Sequence, residues 1–184
     1  MSRIAVVGLI LATLVGCGPS ASVRLHQPRL DQAQQDLALR SNSAVYAVSA
    51  EGVARYRLAY PLPGATVGRN YFMYLRLSAK GGRYEIGSPL PDGGFAGGFL
   101  IQRTGRSKGL TEFVGGEIRV SGAGLGSSAM RSGSFRLKCA DGSTATGDFR
   151  AGRDDLELRD FEQRDYPADV AALQRIKTQP ANAP

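Results

Sequence analysis

SAVYAVSAEGVARYRLAY, residues 43–60, is the stretch whose reading decides the fold. Ala44, Tyr46 and Val48 alternate with other residues, and after Ala50-Glu51-Gly52 the alternation resumes at Ala54, Tyr56, Leu58 and Tyr60. A period of two places successive side chains on opposite faces of a strand. The length of the loop can be tested against register. A two-residue turn at Glu51-Gly52 sets Tyr46 opposite Arg57 and splits the apolar faces. A three-residue loop, Ala50-Glu51-Gly52, sets Val48 against Ala54 and Tyr46 against Tyr56 and leaves Arg55 and Arg57 outside. It also puts Gly52 where a positive φ is needed. The sequence therefore predicts an antiparallel hairpin with a three-residue loop.

The same period recurs downstream. Residues 70–80 and 83–87 flank Gly81-Gly82, a two-residue turn signal. Pairing Lys80 with Arg83 places Leu77 opposite Ile86. One face then carries Tyr71, Met73, Leu75, Leu77, Tyr84 and Ile86, and the other is polar apart from Phe72 and Tyr74. Phe99-Leu100-Ile101, within residues 94–102, is a continuous apolar run expected of a strand buried on both faces. Residues 111–121 form a strand or hairpin with Gly115-Gly116 as turn or bulge. Residues 134–139 and 144–150 enclose Asp141-Gly142, and an odd-length loop places Phe135, Leu137 and Cys139 on the face of Ala145, Gly147 and Phe149. Pro61-Leu62-Pro63-Gly64 and Pro89-Leu90-Pro91-Asp92-Gly93 read as two independent extended connectors.

The ends of the chain read differently. Gly18 to His26 is polar and irregular, a tether. Leu30, Ala33, Leu37 and Ala38 recur at helical spacing, which predicts a short N-terminal helix between Arg29 and Arg40. Residues 154–165 are dense in alternating charge, with Leu156, Leu158 and Phe161 holding the segment to the body. Pro167 suits the first turn of a C-terminal helix, with Val170, Leu173 and Ile176 as its apolar stripe, and residues 179–184 are expected to be disordered. The predicted fold is all-β, an antiparallel sandwich or small barrel of about eight strands with these two helices. Twenty-four glycines with seven Tyr and seven Phe agree with many turns and strands.

Leu14-Val15-Gly16-Cys17 ends an apolar run that follows Arg3. The run is too short to span a bilayer and has the proportions of a signal peptide. The tetrapeptide resembles the lipobox of bacterial lipoprotein precursors. The resemblance implies cleavage before Cys17 and a diacylglycerol on its sulfur, which would anchor the protein to a membrane without crossing it. The organisation expected is a signal peptide (1–16), a lipidated tether (17–42), a β-domain (43–164) and a C-terminal helix and tail (165–184). Gly18 is not the aspartate that tends to retain lipoproteins in the inner membrane of enterobacteria-like systems. The resemblance thus points to the outer membrane, facing the periplasm.

With Cys17 committed to lipid, Cys139 has no disulfide partner and reads as a buried thiol beside Phe135 and Leu137. Without Arg3 the mature chain has 22 basic and 16 acidic residues, a net +6. Outside the cytoplasm this points to anionic envelope polymers or headgroups and not to nucleic acid, and solubility alone explains it equally well. No constellation of residues identifies a reaction. The single histidine, His26, falls in the presumed tether, so neither a Ser-His-Asp arrangement nor a histidine metal site is expected, and no cofactor is implied. The carboxylates at Asp154, Asp155, Glu157, Asp160, Glu162 and Asp165 are interleaved with arginine and read as a solvated face, with a carboxylate-dependent hydrolase as the lesser alternative. Gly122 to Ser128 lacks the Lys-Ser/Thr ending of a phosphate loop and reads as a turn. Two features could bind a ligand. Arg103, Arg106 and Lys108 form a basic loop suited to phosphates or carboxylates. Phe72, Tyr74 and Arg76 share one face of a strand, and that face is either covered by another element or presented to a partner. The expectation is a non-catalytic interaction component of the envelope, and the alternative is a lipoprotein binding a small ligand or anionic polymer.

Overall fold

In the computed structural model, which describes residues 18–28, 35–61, 69–104, 107–121 and 130–164, the chain is built almost wholly of strands. In order they are β1 (Ser20–His26), β2 (Asp36–Ser41), β3 (Ser43–Val48), β4 (Val53–Pro61), β5 (Arg69–Ser78), β6 (Gly82–Glu85), β7 (Gly97–Thr104), β8 (Ser107–Val120), β9 (Arg131–Cys139) and β10 (Thr144–Arg153). A helix, α1 (Asp155–Arg164), follows. No helix among the described residues is long and apolar enough to cross a membrane.

The 43–60 hairpin forms in the predicted register. Tyr46 lies opposite Tyr56 and Val48 opposite Ala54, and Gly52 has φ +78°. From it the ladder runs β3-β4-β5-β7-β8-β9-β10 and closes when the end of β10 pairs in parallel with β3, Gly152 against Val45 and Arg153 against Tyr46. Of the two predicted architectures this is the barrel, a closed one of seven strands. Closure leaves no open edge among those seven. β1 and β2 extend the sheet from β10, and β6 extends it from β8.

Two long strands turn the corners. β8 pairs with β7 through Glu112, then with β9 from Phe113 onward. The break between them is a bulge at Phe113/Gly115, which decides the reading of residues 111–121. Gly116, at φ +111°, lies so close to the Arg136 and Leu137 backbone that a Cβ there would collide with it. β10 lies between β9 and β1 as far as Ala151 and then passes to β3. The barrel thus has two sheets sharing β8 and β10. One is β3-β4-β5-β7 with the first half of β8. The other is β2-β1-β10-β9 with the second half of β8 and β6.

The main core fills the space between them, with Val23, Leu25, Tyr46, Tyr56, Tyr60, Met73, Leu75, Leu77, Ile118, Leu137 and Phe149 all buried. The β9–β10 hairpin has the expected odd loop, Leu137 opposite Ala145 and Phe135 opposite Gly147. A second cluster (Val45, Ala47, Tyr74, Phe99, Ile101, Leu158 and Phe161) lies outside the first sheet, beneath α1. This explains the apolar run in β7, with Leu100 facing the main core and Phe99 and Ile101 facing the helix. A helix of ten residues is marginal alone, so packing sustains α1. Burial of Leu158 and Phe161 contributes about 1.5–3 kcal/mol each. Asp154 caps it, accepting the Glu157 amide at 2.8 Å.

Three expectations are corrected. The presumed tether is β1, pairing with β10 along seven residues and burying Ala21, Val23 and Leu25. The presumed N-terminal helix is, over Asp36–Ser41, the strand β2. Val23 faces Leu39 and Leu25 faces Leu37, so an open strand edge overrides a weak helical spacing. Residues 29–34 lie outside the described residues. β5 and β6 are not a hairpin. β4 and β7 occupy both edges of β5, and Gly81 and Gly82, both at positive φ, redirect the chain so that β6 pairs with β8 instead. Tyr84 and Ile86 still pack on the predicted face, because a period of two fixes the face and not the partner. The chain does carry a C-terminal helix, α1, formed by the charge-dense segment. The helix read from Pro167, like Cys17 and Gly122–Ser128, lies outside the described residues.

Candidate binding face

The first sheet's outer surface holds the aromatic pair singled out from sequence. Tyr74 is 2% exposed. Its ring stacks on Phe99 at 5.1 Å and Phe161 at 6.0 Å, and its hydroxyl donates to Glu162 at 2.9 Å. Phe72 is partly buried, with the guanidinium groups of Arg57 and Arg103 over its ring at 5.4 and 5.3 Å. Arg76 pairs with Asp92. Of the two readings of this surface, the structure fits cover by a helix. The carboxylates of α1 attach it. Glu162 pairs with Arg55 at 2.6 Å, Glu157 pairs with Arg57, and Asp155 pairs with Arg153 at 2.9 Å. From the basic loop, Arg103 lies opposite Lys108 in the β7–β8 ladder. Arg103 thus joins the aromatic pair through Phe72, and Arg106 and the Lys108 side chain lie outside the described residues.

The second sheet is different. Alternation in β1, β9 and β10 turns small hydroxyl residues and arginines outward, and no element of the described chain covers them. The register brings them into rows. Thr146 of β10 lies opposite Arg24 of β1 on one side and Arg136 of β9 on the other. Two residues along, Asp148 lies between Ser22 and Ser134. Hollows of about 800, 620 and 340 Å³ open on this face. Thr146 lines all three, so they adjoin one another and together make a shallow groove across the face from β2 to β8.

The charges on this face are unequal. Its outward positions carry seven Arg or Lys side chains against four carboxylates. Three of the carboxylates are engaged. Glu117 pairs with Arg83 at 2.5 Å and Arg119 at 3.2 Å, Asp36 contacts His26 Nδ1 at 2.8 Å, and Asp148 accepts the Ser22 hydroxyl at 2.6 Å. Arg24, Arg40, Arg136, Lys138 and Arg150 have no carboxylate partner among the described residues. His26, expected in a tether, stands at the end of β1 on the same face. The sequence reading missed this group. Its signal was the alternation of Ser22, Arg24 and His26 and of Ser132, Ser134, Arg136 and Lys138, which shows only once β1 is recognised as a strand.

Inward-facing groups are chemically quiet. Burial pushes the Cys139 thiol up to about 12, with Asp141 adding to the effect, so little nucleophilic thiolate forms near neutral pH. Burial likewise raises the phenols of Tyr56 and Tyr60. Arg131 is buried inside the barrel, 4.8 Å from the Tyr46 ring centroid, and donates to the Tyr56 hydroxyl at 3.3 Å. Among the described residues no cluster of histidine, cysteine and carboxylate groups is arranged to hold a metal. Comparison of the chain with family models, curated proteins and solved structures gives no match.

Proposed function

We propose that this chain is a lipid-anchored, non-catalytic component of the bacterial cell envelope that holds an anionic partner on the open face of its β2-β1-β10-β9-β8 sheet. The observation that carries the reading is the set of five cationic side chains on that face without carboxylate partners among the described residues. On the helix-covered sheet, by contrast, Arg55, Arg57 and Arg76 are each paired. Unpaired guanidinium groups arrayed over a polar groove attract phosphate or carboxylate, and their field steers such a partner from a distance. The Leu14-Val15-Gly16-Cys17 motif supports the anchor and, with Gly18, an address at the outer membrane facing the periplasm. A tether at Cys17, three residues before β1, would hold the open sheet close to the membrane to which it is fixed.

The test has two arms in cells. A Cys17→Ala variant should lose incorporation of labelled fatty acid and leave the membrane fraction. A photoreactive residue at Thr146 should capture a partner, and Arg24→Glu with Arg136→Glu should abolish that capture. The same probe at Leu156, exposed on α1, should capture none. Equal capture from both positions, or capture indifferent to the charge reversals, would overturn the reading.

A further inference from the structure

Resting on that reading of the open sheet, we infer that the occupant of the groove is a linear anionic glycan lying across the strands, its charged groups met by Arg24 and Arg136 and its hydroxyls by Ser22, Ser134 and Thr146. The groove's length is the first reason. It crosses from β2 to β8, five neighbouring strands, and at the usual strand spacing this is about 19 Å. A single small anion would leave most of it empty, whereas a chain of several rings fills it.

The second reason is chemical. Arg24 and Arg136 flank Thr146, two strand spacings apart, so cationic groups recur at about 10 Å with a hydroxyl between them. Guanidinium forks suit carboxylate or phosphate bidentately. The floor between them supplies hydroxyls, which both donate and accept, and Asp148, which only accepts while ionised. A polymer with an acidic group on some rings and free hydroxyls on the rest is complementary to this alternation.

The third reason is what the face does not offer. On the outward positions of β1, β2, β9 and β10 the only apolar side chain is Ala38, and the only ring is the His26 imidazole. The one large apolar side chain exposed nearby is Val114, at the β8 bulge. Protein partners are usually gripped by aromatic and aliphatic anchors in a desolvated centre. Membrane surfaces are gripped by apolar groups inserted below the headgroups together with attraction to anionic lipids. This face offers the second without the first, which makes vesicles a competing probe. Neutral sugars are gripped by stacking, and this chain contains no tryptophan. A polar, basic, grooved sheet fits none of these as well as it fits a hydrated anionic chain.

The experiment uses the full mature chain carrying Cys17→Ser, free of the lipid anchor and of detergent, at 0.15 M salt. The probes are a hyaluronan decasaccharide (a carboxylate on every second ring), its neutral methyl ester, a poly-glutamate peptide of equal charge and phosphatidylglycerol vesicles. Hyaluronan should bind more tightly than all three others. Arg24→Ser and Arg136→Ser should each weaken it about tenfold, the loss of one charge-assisted contact. Thr146→Val should weaken hyaluronan several-fold and leave poly-glutamate unchanged. Poly-glutamate or vesicles binding as tightly as hyaluronan, with the same arginine dependence, would overturn the glycan and leave the anionic face standing. Binding of every probe indifferent to both arginines would overturn both. Failure of hyaluronan to bind at all would also sink the glycan. The denaturation midpoint of each variant, expected to be unchanged, separates loss of binding from loss of fold.

Discussion

The two outer surfaces of this barrel share β8 and β10, yet they differ in almost every respect. On β3, β4, β5 and β7 the outward positions include Val45, Tyr74, Phe99 and Ile101, too much apolar area to leave in water, and α1 covers them. On β1, β9 and β10 they are mainly Ser, Thr, Arg and Lys, with His26 and Asp148, and no described element covers them. The arginines differ in the same way. Arg55 and Arg57 are half-buried and bound to carboxylates of α1, so they attach a helix. Arg24 and Arg136 are exposed and unpaired, so they remain available. What an arginine does in this protein is set by what its neighbours on the same face require.

The contrast can be broken first where the helix meets the sheet. Phe161→Ala should destabilise by about 3 kcal/mol, because the ring stacks on Tyr74 and is 7% exposed. Urea unfolding measures this, and an unmoved midpoint would mean that α1 does not stabilise the covered sheet. Between the sheets, the buried Cys139, Tyr56 and Tyr60 stay protonated while their unfolded counterparts ionise near their ordinary values of 9.0 and 10.0. Their folded values are raised, so the stabilisation is fully present below pH 9. It is lost as pH rises toward 12, where the unfolded state binds fewer protons than the folded state. Denaturation midpoints at pH 8, 10 and 11 should fall in that order, and a Cys17→Ser variant should react with a thiol dye only on unfolding.

A smaller effect is expected from Glu162→Gln, which removes the charge opposite Arg55 but keeps an acceptor for the Tyr74 hydroxyl. The cost should be about 0.5–1 kcal/mol, and its reduction in high salt would show that the charge is the cause. The smallest effect belongs to the open sheet. Arg24→Ser and Arg136→Ser should shift stability by no more than about 0.5 kcal/mol. A larger loss would show that these arginines hold structure, and the contrast between the faces would fail.

The hairpin at 43–60 was legible to the residue pair, because a short loop and a buried face leave one register open, and the β9–β10 hairpin was legible as to face and loop parity. β1 and β2 were not. Ser22, Arg24 and His26 alternate with Ala21, Val23 and Leu25, but the apolar side is modest and the strand gains its place only from the free edge of β10, more than a hundred residues away. Leu37 sat in a helical spacing and a strand spacing at once, and pairing with Leu25 decided between them. The candidate face was hidden for the same reason. Its arginines come from segments distant in sequence, so no local pattern joins Arg24 to Arg136.

By itself, then, the sequence determined which residues of the 43–60 and 134–150 hairpins share a face, where Ala50-Glu51-Gly52 turns, that Phe99-Leu100-Ile101 is buried on both sides, and the lipobox resemblance at Cys17. These are local matters of side-chain period, glycine at positive φ and motif. The tertiary structure alone decided that Gly81-Gly82 sends the chain to the opposite sheet, that Tyr74 lies beneath α1, and that Arg24, Thr146 and Arg136 stand in one row. Those facts depend on which strand edges remain free for pairing. Edges are assigned by closure of the whole barrel, which no short stretch of chain contains.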